Sequence, residues 1–261
     1  MKRVHLKERL QSLHGVIRMP LVVAAIVLLL LQLRTSPTMD MPKESFVVVR
    51  VKTFSKITNC EGSKEKCGKI LNNDKEMKGL RKGSGLVIRH QDDKSWILTA
   101  AHVCQAQNPE SLVLNDAKLK MTTRLEIKVI DFFGNLHNAT TVYFDELNDL
   151  CLMSSPGKWG KVVRVSPHAP EYGETVYNLA APYGIFSPKM VLMFKGIYSG
   201  NDFGGNEMFT FPARPGSSGS AIFNESGELV SVLHSAARNL ENLAIGCGYE
   251  NLVAFISTYL K

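Results

Sequence analysis

Two stretches decide how the 261-residue chain is read: Pro215-Gly216-Ser217-Ser218-Gly219-Ser220-Ala221 and, well upstream of it, Leu98-Thr99-Ala100-Ala101-His102-Val103-Cys104. A Gly-Xaa-Ser-Gly turn that leads into an apolar strand suits a nucleophile. Glycines on both sides let the backbone bend sharply and aim the Ser218 hydroxyl and two nearby N–H groups at one point. A Thr-Ala-Ala-His stretch at the end of an apolar strand supplies a base for that hydroxyl. Ser217 and Ser220 are rival hydroxyls in the same turn.

An imidazole base needs a carboxylate to orient it. Asp149, in Glu146-Leu147-Asn148-Asp149-Leu150-Cys151-Leu152-Met153, leads directly into an apolar run. Alone, such a residue reads as an ordinary strand edge. In the order His102, Asp149, Ser218 it matches one of the known arrangements of a histidine, an aspartate and a serine along a chain. With these residues the chain resembles the chymotrypsin-like serine peptidases from about Phe46 to the C-terminus. The family pattern selects Ser218 over Ser217 and Ser220. Gly83-Ser84-Gly85-Leu86-Val87-Ile88 and Ala244-Ile245-Gly246-Cys247-Gly248-Tyr249 are similar to the HtrA-type and glutamyl-endopeptidase branches, and the Ser218 stretch also resembles viral chymotrypsin-like proteases.

The resemblance implies a catalytic triad of His102, Asp149 and Ser218, with the N–H groups of Gly216 and Ser218 as oxyanion hole. It also implies that Leu229-Val230-Ser231-Val232-Leu233-His234-Ser235-Ala236 forms one wall of the primary specificity pocket. There the substrate backbone adds as a strand. His234 then stands where glutamyl endopeptidases and Glu/Gln-cutting viral proteases carry a pocket histidine; otherwise it is a satisfied core or rim residue. The family's accompanying hydroxyl is missing, because Ala213 and Arg214 occupy those positions and the nearest upstream hydroxyl is Thr210. The expected substrate-binding set is His234, Ser235, Ala236 and Ala213.

The N-terminus is organised differently. Lys2, Arg3, Lys7, Arg9 and Arg18 against Glu8 account for more than half of the formal charge of +7, so the remainder is too mildly basic to argue for nucleic acid. Pro20 to Leu33 is apolar apart from Gln32, shorter than the roughly 20 residues of an ordinary span unless residues 16–19 extend it with Arg18 snorkelling. This predicts an uncleaved signal anchor over residues 16–33, a single pass with the protease on the exoplasmic side. Secretion after signal-peptide cleavage is the alternative. Of the five cysteines, Cys60 and Cys67 bracket a polar loop and suit a small hairpin disulfide, whereas Cys104, Cys151 and Cys247 read as buried core thiols. No Cys-x-x-Cys spacing suggests zinc, and the reading requires no metal or cofactor.

The chain divides into residues 1–34 (basic flank and anchor), a linker at 35–44 and a protease domain at 45–261. Within the last, short strand-like runs separated by turn residues predict an all-β fold of two antiparallel six-stranded barrels, about 45–155 and 160–250. One of those runs is Val162 to Val165. Helical spacing of Leu252, Phe255, Ile256 and Tyr259 predicts a closing helix over 251–260. The expected partners are protein or peptide substrates. The competing reading is a protease-fold module that binds peptides without cutting them.

Overall fold

The computed structural model describes residues 40–63, 67–68, 76–105, 111–114, 117–237 and 239–260. The expected anchor at 16–33 lies outside them, and no helix among the described residues is long and apolar enough to cross a membrane.

Strand alternation builds the first barrel. In β1 (Phe46–Glu61), Val47, Val49 and Val51 point one way and Phe46 and Val48 the other, and all are buried. β1 pairs antiparallel with β2 (Met77–Gln91), which turns at Asp92 and Asp93, both with positive φ, into β3 (Lys94–Ala100). β3 ends in the single helical turn α1 (Ala101–Cys104). β4 (Ser111–Leu114), β5 (Ala117–Asp131), β6 (Leu136–Asp145) and β7 (Leu150–Pro156) follow. The order β1-β2-β3-β7-β6-β5 closes through β5–β1 pairing, and β4 hangs from the outside of β5.

The second barrel closes as β10-β13-β12-β11-β8-β9, from β8 (Thr175–Ala180), β9 (Leu192–Asn201), β10 (Glu207–Phe209), β11 (Ala221–Phe223), β12 (Leu229–Ala236) and β13 (Ala244–Gly246). α2 (Tyr249–Tyr259) follows and buries Leu252 and Phe255. All-β architecture, two closed six-stranded barrels and a closing helix therefore agree with the sequence reading. The run Val162 to Val165 is not a strand. It is the crossing between barrels, where Val163 is buried and Val165 makes one isolated bridge to Leu229.

Three apolar clusters follow from the alternation. Val47, Val49, Val51, Ile97, Val129, Cys151 and Met153 fill the first barrel, and Val176, Phe209, Phe211, Ile222, Val230 and Leu233 fill the second. The opposite faces, among them Phe46, Val48, Leu86, Leu98, Leu150, Leu152, Tyr177, Leu179, Phe223 and Val232, form a shared core between the barrels under α2. β7 is buried on both faces from Leu150 to Ser155, which explains the unbroken apolar run Leu150 to Met153 at its start.

The cysteines correct one expectation. Cys60–Cys67 is bridged as foreseen, but Cys104 and Cys151 are also joined, and among the described residues only Cys247 is a free thiol. Cys104 and Cys151 are core residues, fully buried, and covalently linked as well. With a sequence separation of 47, chain entropy alone makes this bridge worth about 4 kcal/mol.

Candidate active site

α1 and the turn before β7 bring His102 and Asp149 together at the edge of the first barrel. β3 and β7 pair up to Ala100↔Leu150, and the ladder's last bond runs from Ala101 N–H to the Asp149 carbonyl at 3.0 Å. Just past it, His102 Nδ1 lies 2.6 Å from Asp149 Oδ2, and His102 N–H donates to Asp149 Oδ1 at 2.9 Å. Both carboxylate oxygens therefore hold the same histidine, one through its ring and one through its backbone. Asp149 adopts φ +51°, a left-handed conformation uncommon outside glycine, asparagine and aspartate. The preceding loop is closed by Asp145, whose side chain accepts from Leu147 N–H, Asn148 N–H and Asn148 Nδ2.

The second barrel supplies the serine. Gly216 (φ +99°) and Gly219 (φ +85°) bend the turn on either side of Ser218. A Cβ at Gly219 would lie 2.1 Å from Thr99 Oγ1 and 2.3 Å from the Ser84 carbonyl, so the turn fits against the first barrel only with glycine there. Burial separates the three hydroxyls. Ser217 and Ser220 are 1% and 0% exposed, and Ser220 Oγ accepts from Asn178 Nδ2 at 2.7 Å. Ser218 is partly exposed, its hydroxyl directed toward the His234 carbonyl at 3.5 Å. Among the described residues, the N–H groups of Gly216 and Ser218 have no intramolecular acceptor, whereas Ser217 N–H, Gly219 N–H and Ser220 N–H all do.

Ser84 joins the two halves, a role the sequence did not reveal. It lies in β2, fully buried; its N–H donates to the Ser218 carbonyl and its Oγ to the Gly216 carbonyl, both at 2.8 Å. The same Oγ accepts from Ala181 N–H at 3.1 Å, and Thr99 Oγ1 donates to the Ser84 carbonyl. The serine between two glycines in Gly83-Ser84-Gly85 was the available signal.

His234 sits at a bulge. β12 pairs Leu233 with Gly246 and Ser235 with Ile245, leaving His234 as the extra residue. Burial pushes its imidazole below the usual range, with the Asp149 carboxylate opposing and His102 adding to the shift; a hydrogen bond to the Gly246 backbone and the Asp202 carboxylate also oppose it. Beside it, Ser235 is exposed, Ala236 half-buried and Ala213 buried. β11 pairs with β12 only as far as Val232, so the stretch 234–236 has one edge open. Thr210 is turned away: its Oγ1 accepts from Ile197 N–H at 3.0 Å. The Arg214 guanidinium rests on the carbonyls of Ala213 and Glu241. Among the described residues, no cluster of histidine, cysteine and carboxylate side chains suits a metal ion.

A carboxylate–imidazole pair on the first barrel and a partly exposed hydroxyl on the turn that docks against β2 thus flank the barrel junction, with two N–H groups that have no acceptor among the described residues and an open strand edge. The fold is shared with a known structure: the serine endoprotease from Yersinia pestis superposes with a TM-score of 0.56 at 20% identity, over 83% of this chain and 62% of that one. No curated protein matches the sequence. The model of the trypsin-like peptidase domain matches residues 83–232, more than half of the chain. That stretch holds the histidine turn, the aspartate and the serine turn in their expected order and ends within β12, before His234, and the chain belongs to the trypsin-like peptidase family.

Proposed function

We propose that the protein is a serine endopeptidase that works through His102, Asp149 and Ser218. The observation that carries this reading is the His102–Asp149 pair at 2.6 Å, set at the junction where Ser218 is the one partly exposed hydroxyl of its turn. His102 takes the Ser218 proton as the hydroxyl attacks the scissile carbonyl, and returns it to the leaving amine. Asp149 holds the ring so that Nδ1 carries its proton toward the carboxylate and Nε2 is left to accept. The N–H groups of Gly216 and Ser218 receive the negative oxygen, each worth about 3 kcal/mol in the transition state. Water then cleaves the acyl-enzyme along the same path.

The substrate backbone adds to the open edge of 234–236, and its side chain before the cut enters beside His234 and Ala213. His234 favours Glu or Gln there. The half-buried imidazole already bonds the Gly246 backbone, and leaving its other nitrogen unpaired costs more than letting it meet a carbonyl oxygen, so a substrate lacking that oxygen binds less well. Residues 16–33 anchor the chain, with the protease on the exoplasmic side. Two disulfides fit an oxidising compartment and support that side.

The deciding experiment is cleavage-site mapping by mass spectrometry on a diverse peptide mixture, with residues from Pro42 onward and the matching Ser218→Ala variant. Cuts after Glu or Gln that vanish in the variant are expected. Cuts after apolar residues would remove the role given to His234, and equal cutting by a folded Ser218→Ala protein would remove the triad. Alkaline carbonate extraction of membranes carrying the full chain tests the anchor, which fails if the protein is released.

A further inference from the structure

We infer that the Cys104–Cys151 disulfide is a positioning device for the His102–Asp149 pair, holding the imidazole against the carboxylate rather than only stabilising the barrel. The inference rests on the catalytic reading above. Each cysteine follows one member of the pair by two residues: His102-Val103-Cys104 and Asp149-Leu150-Cys151. The bridge closes a small loop whose other closure is the bond from Ala101 N–H to the Asp149 carbonyl; His102 lies within that loop and Asp149 stands at its edge.

Neither segment fixes itself. α1 is four residues long, with one capping bond from Gln105 N–H to the Ala101 carbonyl, and a single helical turn is unstable without tertiary support. The β3–β7 ladder ends at Ala100↔Leu150, before the pair begins. Asp149 holds a left-handed backbone that costs more than the ordinary regions and has no ladder bond of its own beyond its carbonyl. Its loop is exposed at Leu147. The far end of α1 is tied down by the bridge, by Thr141 Oγ1 donating to the Cys104 carbonyl at 3.0 Å, and by Arg81, which donates to the His102 and Gln105 carbonyls. Cys151 is itself rigid, paired with Thr99 on one side and Phe144 on the other. The covalent link therefore runs from the fixed strand to the short turn that carries the base.

The test compares Cys104→Ala/Cys151→Ala with a control that removes the other bridge, Cys60→Ala/Cys67→Ala. For peptide hydrolysis, the first pair is expected to lower kcat about 10- to 100-fold with KM within about twofold, since small misplacements of reacting groups cost that much. The control should leave kcat within about twofold. A second readout does not depend on turnover. In a Ser218→Ala background, the low-field proton resonance of the His102 Nδ1–H should be sharp in the bridged chain and lost or broadened in the unbridged one. If the wild-type chain cleaves nothing, the proposed activity falls while this resonance still reads the clamp. The Cys60→Ala/Cys67→Ala chain, isolated with Cys104 and Cys151 reduced and then oxidised, gives the same comparison without substituting either of them. Unchanged kcat with an unchanged resonance in a folded, unbridged chain would overturn the proposal. Failure of both unbridged forms to fold would also overturn it, assigning the bridge to the fold alone.

Discussion

Replacing Glu207 by glutamine is expected to stabilise the protein at neutral and alkaline pH and to flatten its stability against pH. Glu207 lies in β10, 1% exposed, inside the second barrel. Its Oε1 accepts from Tyr249 N–H at 3.0 Å, the first residue of α2, while Oε2 has no hydrogen-bond partner of good geometry. The nearby Ser231 hydroxyl is committed to the Cys247 carbonyl at 2.6 Å. Burial dominates over the helping bond from Tyr249 N–H, and the carboxyl is pushed up from 4.5 to about 7. The folded state therefore holds a proton that the unfolded state releases between these values. The sign follows: the contribution is fully present below about pH 4.5, declines as pH rises, and is gone above about 7. The interval corresponds to about 3 kcal/mol, or roughly 10 °C in Tm for a domain of this size. Glutamine keeps an acceptor for Tyr249 N–H and carries no charge to desolvate. Urea unfolding of both proteins from pH 4.5 to 8 is the assay, and their difference isolates this residue from every other titrating group. Parallel curves for the wild type and Glu207→Gln would refute the argument.

Three further outcomes are expected. Asp149→Asn should lower kcat by about 10⁴: the amide oxygen stays with the His102 backbone N–H, the amide NH2 then faces Nδ1, and the ring is held in the tautomer whose Nε2 cannot take the Ser218 proton; steady-state kinetics on a folded variant read this, and a loss below tenfold would contradict it. Ser84→Ala removes the donor to the Gly216 carbonyl and leaves Ala181 N–H unpaired, a cost of about 1–3 kcal/mol; it should lower both Tm and kcat, and an effect on neither would show that the turn holds itself. The His234 imidazole loses its proton below the usual histidine range, so cleavage after Glu should gain on cleavage after Gln only as pH falls below that range. Competition between paired Glu and Gln peptides measures the ratio, and a ratio that is flat with pH, or unchanged in His234→Leu, excludes the pocket role.

Much of this was legible because local physics dominates it. Val47, Val49 and Val51 alternate with Phe46 and Val48, and that period of two fixes which face meets the barrel interior and which meets the second barrel. Gly216 and Gly219 announce a turn that only glycine tolerates. What escaped depends on contacts between distant segments. Val162 to Val165 has the composition of a strand, yet its apolar residues are buried because the chain crosses between barrels there. The long continuations of β1 to Glu61 and of β2 from Met77 are half-exposed and polar, so no apolar run marks them. The bulge at His234 exists only in the register of β12 against β13.

The cysteines show how a site reading constrains what local sequence leaves open. Cys104 and Cys151 lie in apolar segments and carry no pairing signal of their own. Once His102 and Asp149 are assigned to one site, however, the geometry around them is limited. A strand that ends at Ala100 and turns through one helical turn brings the third residue past its start back over the strand it has just left. Its neighbour there is β7, which begins immediately after Asp149. Two residues on from each member of the pair the segments run close together, with 6.5 Å between the two cysteine Cα atoms, a separation that a disulfide spans. The same reasoning accounts for Ser84, whose strand borders the histidine strand on its other side. The serine turn has to dock somewhere on the first barrel to reach His102, and it docks on the β2 residue that offers both an N–H and a hydroxyl between two glycines.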